Sequence, residues 1–336
     1  MREKKLAALG LAFITAFSLA GCGSAAATGT ASSSVASSAA GKTAASGKSS
    51  GDDKAPLIVG SKDFTESIVL GEIYAEAFED NDVPVKRQLK LGSQVIHDSI
   101  KAGDVEFYPE YTGTGLNYLH SEFPKNKDYD IVFDPQKIYD NTKAGYEKEY
   151  GITWLKPSDV NDSEGLAASR SAVKKYGLST FSDAWEHSAD LKLAGNGEFF
   201  DEESTYPHLV EVYGKDQFKH VTMDHTLEFQ AAKSGDVDVI SVYTTEGNLE
   251  SDDYVVLKDD KQAWCTYWIC PIIRDDALAR WPKAQAIADA VTATLTDKNV
   301  IKMNADVDID GEDYEDVAHD YYDSIKDKVA KAVADE

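Results

Sequence analysis

One sequence pattern occurs twice in the chain and restricts the folds that the chain can adopt. Residues 101–115 and 233–247 share Lys, Gly, Asp, Val, Tyr, Thr and Gly at the same offsets. The copies are too far apart to be neighbouring units of a solenoid, whose repeats are roughly 20–50 residues long. Each copy predicts a helix that ends at a glycine, followed by an apolar strand that ends in Tyr-Thr. The pattern therefore predicts two similar lobes.

Strands and helices alternate along the rest of the chain. The expected strands are 57–60, 191–194 and 254–257, and the expected helices are 65–80, 274–295 and 312–333. This alternation predicts an α/β fold with parallel sheets covered on both faces, whose ligands bind beyond the carboxyl ends of the strands. Two facing lobes would then enclose a ligand in a cleft, with Tyr111 and Tyr243 on opposite walls. The alternative is that both tyrosines are ordinary packing residues.

The first 55 residues have the composition of an export signal and a tether. A basic start and an apolar run at 6–19 are typical of a secretory signal, too short for a stable membrane-spanning helix. The run ends in Leu19-Ala20-Gly21-Cys22, which resembles the lipobox of bacterial lipoproteins. That resemblance implies removal of residues 1–21 and a lipid on Cys22; a chance cysteine is the alternative. Residues 22–55, rich in Ala, Ser and Gly, predict a flexible linker.

Composition and motifs argue against several other functions. The formal net charge of −25 argues against a nucleic-acid binder, which needs clustered Lys and Arg for its phosphate contacts. No recognisable nucleophile motif is present, so we expect neither an enzyme nor a cofactor. Residues 306–311 match the first half of a calcium loop, but Val317 occupies the position of its bidentate glutamate. We expect a strand and an acidic helix start there, with no metal site. Cys265 and Cys270 are expected to be small buried residues that do not pair.

Six motifs occur in an order that is typical of one family. They are Gly60-Ser-Lys-Asp-Phe-Thr-Glu66, Leu70-Gly-Glu72, Tyr108-Pro-Glu-Tyr-Thr-Gly-Thr114, Trp154-Leu-Lys-Pro157, Glu198-Phe-Phe200 and Val237-Asp-Val239. From about Leu57 onward the chain resembles the substrate-binding lipoproteins of ABC importers for osmoprotectants such as glycine betaine, choline and carnitine. The resemblance implies a type II periplasmic-binding-protein fold, with two mixed sheets flanked by helices and a ligand cleft between the lobes.

The family's architecture also gives bounds for the lobes. One lobe would comprise residues 56–157 and 263–336, and the other residues 158–262. The two crossovers between them would lie near Pro157 and Gln262. The receptor would act as a monomer with an ABC permease, anchored by Cys22 to the extracytoplasmic face of the cell membrane.

The resemblance implies a site for a quaternary ammonium group. Such a group has no hydrogen to donate, so aromatic rings hold it by cation–π attraction of roughly 0.5–2 kcal/mol per ring. By motif, the implied cage walls are Tyr111, Tyr243 and Tyr267. The implied neighbours are Trp268 beside the cage, Thr114 as a hydrogen-bonding group, Lys62 as a polar contact, and Asp162 and Glu198 as lining residues.

Three positions depart from the family's pattern. Glu164 stands where relatives often have a tyrosine, Glu202 stands where an arginine binds the ligand carboxylate, and Ser67 replaces a glutamine. Loss of the arginine removes a bidentate partner for a carboxylate, and Glu202 repels an anion. We therefore expect a choline-like cation rather than a betaine. Alternatives are a receptor for carnitine, ergothioneine or a non-quaternary cation, and a sensor or adhesion lipoprotein with no transport role.

Overall fold

The computed structural model describes residues 54–202 and 204–334. Its strands are β1 (Leu57–Lys62), β2 (Val85–Leu91), β3 (Phe107–Tyr111), β4 (Ile152–Trp154), β5 (Glu164–Ser169), β6 (Lys192–Gly195), β7 (Lys219–Thr222), β8 (Val239–Tyr243), β9 (Tyr254–Val256) and β10 (Ile269–Arg274). Its helices are α1 (Thr65–Asp80), α2 (Ser93–Ala102), α3 (Thr112–Glu122), α4 (Pro135–Tyr150), α5 (Arg170–Tyr176), α6 (Phe181–Glu186), α7 (Gly197–Asp201), α8 (Tyr206–Tyr213), α9 (His225–Ser234), α10 (Asp275–Arg280), α11 (Ala284–Thr292), α12 (Asp297–Asp308) and α13 (Tyr314–Ala334). The predicted signal, Cys22 and nearly all of the predicted linker lie outside the described residues.

Two sheets with the same strand arrangement form the framework of the described residues. Their strand orders are β2-β1-β3-β10-β4 and β7-β6-β8-β5-β9. In each sheet one strand, β10 or β5, runs antiparallel to both of its neighbours. The sheets are therefore mixed, as the family resemblance implies, whereas alternation alone predicted parallel sheets. The reversed strand is in each case the first strand after the chain arrives from the other sheet.

We call the parts of the chain built on these sheets lobe 1 (57–154 and 269–334) and lobe 2 (164–256). In lobe 1, α1, α11 and α13 pack on one face of the sheet, and α2, α3 and α4 pack on the other. The apolar face of α1 is directed at this core, because Val69, Ile73 and Ala77 are all buried. Burial of each large apolar side chain contributes roughly 1.5–3 kcal/mol to stability.

The repeated pattern has a structural basis just before β3 and β8. The Glu106 carboxylate accepts a hydrogen bond from the backbone N–H of Ile58 at the start of β1, at 3.1 Å. The equivalent Asp238 accepts one from the N–H of Lys192 at the start of β6, at 2.9 Å. Each carboxylate satisfies a donor at the beginning of the neighbouring strand. This part of the repeat therefore holds neighbouring strands together and has no role in ligand binding that its contacts indicate.

Two predictions of local structure near the C-terminus are wrong. The expected helix 274–295 is divided, because Pro282 has no N–H to donate and disfavours helical dihedrals at Trp281, whose φ is −125°. The expected strand at the start of residues 306–311 is the last turn of α12. Val307 packs against the core from this turn, whereas Ile309 is 54% exposed. The alternation of polar and apolar residues there reflects a helix end.

Two extended segments connect the lobes, 155–163 and 257–268. They lie side by side, since the N–H of Asp162 donates to the carbonyl of Tyr267 at 3.1 Å. The N–H of Tyr267 in turn donates to the Asn161 side chain at 2.7 Å. The crossovers expected near Pro157 and Gln262 fall within these segments.

A third connection between the lobes involves α12. Gly247 of lobe 2 lies so close to α12 that a Cβ atom there would be 2.7 Å from the Ala305 backbone. This approach requires a glycine at position 247. In the part of the chain that the structure describes, none of the helices has the length and apolar character needed to cross a bilayer.

Candidate ligand-binding cleft

Three adjoining cavities lie around the carboxyl end of β8. The aromatic cavity has a volume of about 580 Å³, and its lining includes Phe133, Tyr243, Trp264 and Tyr267. The acidic cavity has a volume of about 490 Å³, and its lining includes Phe64, Glu66, Thr245 and Asn304. The glutamate pocket has a volume of about 220 Å³, and its lining includes Glu164, Glu198, Glu202 and His225. Tyr243 lines all three cavities and therefore marks their centre.

Tyr243 and Tyr267 supply aromatic faces to the cleft from different elements. Tyr243 is the last residue of β8, and 54% of its surface is exposed. Tyr267 comes from the second connecting segment, and its ring packs on Gly113 so closely that a Cβ atom there would be 2.8 Å away. Asn117 of α3 donates to the Tyr267 hydroxyl at 3.4 Å. The backbone of α3 therefore positions Tyr267 in the aromatic cavity.

The two lobes also meet at the edge of the aromatic cavity. The ring of Phe133 in lobe 1 stacks on the ring of His208 in lobe 2, with centroids 5.6 Å apart and planes 18° apart. Both residues line the aromatic cavity. Neither residue belongs to a connecting segment, so the lobes also contact each other directly at this cavity.

Tyr111, the repeat partner of Tyr243, has a different environment. It is only 3% exposed, and its hydroxyl donates to a Glu66 oxygen at 2.7 Å. The ammonium group of Lys62 lies 4.9 Å from the centroid of the Tyr111 ring and forms a buried ion pair with Glu110. Tyr111 therefore lies behind Glu66, and neither Tyr111 nor Lys62 is among the residues that line the three cavities. Their implied roles at the ligand remain predictions.

The other expected site residues fall into two groups. Asp162, Glu164, Glu198, Glu202, Tyr243 and Tyr267 come together along the three cavities. Thr114 and Trp268 are half-buried and are not among the lining residues. The backbone N–H of Trp268 donates to the Thr112 hydroxyl at 3.0 Å and so helps to hold the start of α3. Cys265 is a half-buried free thiol that lines the aromatic cavity, and Cys270 is a buried free thiol.

Carboxyl groups dominate the polar lining of the cleft. Those that line the three cavities are Asp63, Glu66, Asp162, Glu164, Glu198, Glu202, Glu246 and Asp308. Among the described residues, no lysine or arginine lines any of these cavities. His225 is cationic, because hydrogen bonds to Glu228 and Glu246 raise its pKa to about 10, but the same two carboxylates neutralise it. The cleft therefore favours cations.

Burial changes the protonation of the carboxyl groups nearest the centre of the cleft. Removal from water, together with the negative charge of Asp162, raises the pKa of Glu66 to about 8. Burial also raises the pKa of Asp162. Burial and the nearby Glu202 raise the pKa of Glu164. These groups hold protons more tightly than free carboxylates because burial outweighs the interactions that favour their charged forms, which for Asp162 include the positive charge of Lys62.

Some lining residues were not expected from the sequence. Glu66 belongs to a family motif but carried no expected role, and Thr245 follows the second Tyr-Thr of the repeat by one residue. Both could have been found from their motifs. Asn304 lies in α12 without a motif, and Phe133 and Trp264 lie in segments that gave no signal. Only the tertiary structure brings these three to the cleft.

Another cavity, of about 720 Å³, lies between β9 and α12. Its lining includes three lysines, Lys258, Lys298 and Lys302, and neither Tyr243 nor Tyr267 contributes to it. Four carboxyl groups line it as well, Glu164, Glu250, Asp259 and Asp297, so its lysines are balanced by nearby negative charge, but it lacks both tyrosine rings of the aromatic cavity. The three cavities around Tyr243, which combine aromatic rings with carboxyl groups, are therefore the candidate ligand site.

Comparisons with known proteins agree with this architecture. The structure of apo YehZ from Escherichia coli superimposes with a TM-score of 0.72 and 25% identity, covering 80% of this chain and 98% of that one. The fold is that of a type II periplasmic binding protein. Residues 55–324 match the OpuAC family, described as the substrate-binding domain of ABC-type glycine betaine transport systems. The chain belongs to this family, whose members bind substrates for transporters, as the sequence motifs predicted.

Two curated relatives illustrate the range of the family. The glycine betaine-binding protein YehZ of Escherichia coli is 26% identical over 285 residues, which is 80% of this chain and 90% of that protein. The ergothioneine transport permease/ergothioneine binding protein EgtU of Helicobacter pylori is 28% identical over 261 residues. That match covers 76% of this chain but only 45% of the Helicobacter protein. The chain thus spans less than half the length of this relative.

The raised pKa of Glu66 predicts a specific pH dependence of stability. A carboxyl group with a higher pKa in the folded state stabilises the fold fully below its unfolded pKa of about 4.5, and this contribution is lost as pH rises through about 8. Glu66→Gln cannot ionise. We expect the melting temperature of the wild type, relative to that of Glu66→Gln, to fall by about 5 °C or more between pH 5 and pH 8.5.

The matched control is Glu147→Gln, at an exposed position of α4. Its melting temperature should follow that of the wild type across the same range. Parallel curves for Glu66→Gln and the wild type would show that Glu66 does not keep a raised pKa.

Proposed function

We propose that the chain is the extracytoplasmic receptor of an ABC importer and captures a small quaternary ammonium cation without a carboxylate, such as choline. One observation carries this proposal. Exposed aromatic faces and several carboxyl groups share a cleft that no lysine or arginine lines, among the described residues. Family membership supports the transport role. The choice of ligand follows from the chemistry of the cleft.

The aromatic faces suit a quaternary ammonium head. A tyrosine that is 54% exposed at a strand end gains little from packing on its own lobe, so Tyr243 is available to a ligand. A cation beside the Tyr243 and Tyr267 rings would be attracted by both ring faces, more strongly as water is excluded. The methyl groups of such a head need no hydrogen bonds. The aromatic cavity can therefore hold the head without a polar partner for each methyl group.

The carboxyl groups discriminate against an anionic ligand group. Asp162 and Glu164 both line the aromatic cavity, and Glu202 lies next to Glu164 in the glutamate pocket. A cation stabilises their ionised forms and lowers the free energy of keeping them buried. A ligand carboxylate would instead add a like charge, and no guanidinium is in reach to bind it. Choline satisfies this condition, and glycine betaine does not.

Closure of the lobes would link binding to transport. A ligand in the aromatic cavity would touch Tyr243 from lobe 2, Tyr267 from a connecting segment and Asn117 from lobe 1. Contacts to both lobes are made only when the lobes are close together, so the ligand favours that arrangement. A permease that recognises the closed lobes would then receive loaded receptors in preference to empty ones.

A zwitterionic trimethylammonium compound is the second candidate. The indole N–H of Trp264 is buried and has no hydrogen-bond partner among the described residues, and Trp264 lines the aromatic cavity. This N–H could donate to a ligand carboxylate. The named ligands of the relatives, glycine betaine and ergothioneine, are of this kind. A single neutral donor offsets only a small part of the repulsion between a ligand carboxylate and the surrounding carboxyl groups. We therefore favour choline.

Isothermal titration with choline and glycine betaine distinguishes these candidates. The two compounds share the trimethylammonium head. Choline ends in a hydroxymethyl group, whereas glycine betaine ends in a carboxylate. We expect choline to bind at least about ten-fold more tightly at pH 7.5, because the carboxylate meets buried like charges. Equal or tighter binding of glycine betaine would contradict the proposed ligand class.

Substitution of Tyr243 tests the aromatic contribution. Tyr243→Leu removes the ring face and should weaken choline binding by about ten-fold, within the cation–π range of roughly 0.5–2 kcal/mol. Tyr243→Phe keeps the ring and should retain most of the affinity. Because the ring is largely exposed, neither change should alter the melting temperature of the ligand-free protein. Equal losses in both variants would show that the hydroxyl, rather than the ring, holds the ligand.

We also propose that the receptor is anchored through a lipid on Cys22. The support is the sequence Leu19-Ala20-Gly21-Cys22 after a basic start and an apolar run. In a bacterium that processes lipoproteins, the full chain should incorporate a labelled fatty acid and fractionate with membranes. Cys22→Ser should abolish both, whereas the matched Cys265→Ser should change neither. A wild-type chain without label in the soluble fraction would contradict the anchor.

A further inference from the structure

Asn304 presents an unpaired acceptor in the acidic cavity. Its side chain is 5% exposed, and its amide oxygen has no hydrogen-bond partner among the described residues. The amide nitrogen donates to the Thr245 carbonyl at 2.8 Å and to a Glu66 oxygen at 3.3 Å. Reversing the amide would place its oxygen against the Thr245 carbonyl oxygen, so these contacts fix its orientation. A buried acceptor in this position favours any group that supplies a donor.

The polar groups around Asn304 are acceptors as well. The carboxyl groups that line the acidic cavity are Asp63, Glu66, Asp162, Glu246 and Asp308. Its two threonine hydroxyls already donate, Thr65 to Asp308 at 2.5 Å and Thr245 to Asp162 at 2.9 Å. Among the described residues no lysine or arginine lines it. Apart from the proton that Glu66 holds and the hydroxyl of Tyr243, the described residues that line this cavity offer side-chain acceptors and no free side-chain donor.

We propose that the acidic cavity is a second subsite of the cleft, which takes a hydroxyl or N–H group of the same cation whose ammonium head occupies the aromatic cavity. This inference rests on the proposed function. Asp162 and Tyr243 line both cavities, so one small molecule can contact both. Asn304 and Glu66 are then specificity-determining residues. They select ammonium compounds with a hydrogen-bond donor over simple alkylammonium ions.

A pair of ligands tests the subsite without any mutation. Propyltrimethylammonium has the charge and length of choline, with a methyl group in place of the hydroxyl. Isothermal titration of the wild-type protein should give at least about ten-fold tighter binding of choline, because the methyl group leaves the buried acceptors unpaired. Equal affinities would overturn the subsite and leave the proposed cation receptor standing. Binding of neither compound would overturn both.

The Asn304→Leu variant tests whether Asn304 causes the preference for choline over propyltrimethylammonium. Leucine has a similar volume and no acceptor, so the affinity ratio of choline to propyltrimethylammonium should fall below that of the wild type, while the carboxyl groups of the cavity retain part of the discrimination. The matched control is Asn117→Leu, the same change in the aromatic cavity, which should preserve the ratio while lowering both affinities. An unchanged ratio in a folded Asn304→Leu protein, verified by its melting curve, would overturn the role of Asn304. If that variant does not fold, the wild-type ratio alone decides.

Discussion

The balance between buried carboxyl groups and positive charge determines the properties of the cleft. Glu66, Asp162 and Glu164 lie near its centre, no lysine or arginine is among the described lining residues, and the charge of Lys62 offsets the burial of Asp162 only in part. Burial of such groups is unfavourable unless they take up protons or gain a cation. The raised pKa of Glu66 shows the first response in the ligand-free protein. A bound cation would provide the other kind of compensation. Cation binding would then be favoured because it lowers the free energy of the buried carboxylates.

The two lobes share a topology but not an electrostatic arrangement. In lobe 1 the residues at the end of β3 are covered, since Tyr111 is buried and donates to Glu66. In lobe 2 the end of β8 is open, and Tyr243 reaches the cleft. Lys62, the cation nearest to Tyr111, is already paired with Glu110. The duplicated pattern thus gives one buried tyrosine and one exposed tyrosine that lines the cleft.

The sequence predicted the family and the fold because both depend on local patterns. The helix expected at 65–80 has the bounds of α1, and the ordered motifs identified a type II binding protein, which the comparisons confirm. Long-range placement was harder to predict. The burial of Tyr111 depends on α1, and the approach of Asn304 depends on the packing of α12 against lobe 2. The alternation at residues 306–311 was interpreted as a strand because its helical context is set by packing.

A crystal structure with choline tests the central claim most directly. The account predicts that the choline nitrogen lies in the aromatic cavity, within about 6 Å of the ring centroids of Tyr243 and Tyr267. Carboxyl groups of Asp162 or Glu164 should be its nearest charged neighbours. Choline bound in the cavity between β9 and α12, or at any site away from both rings, would contradict it.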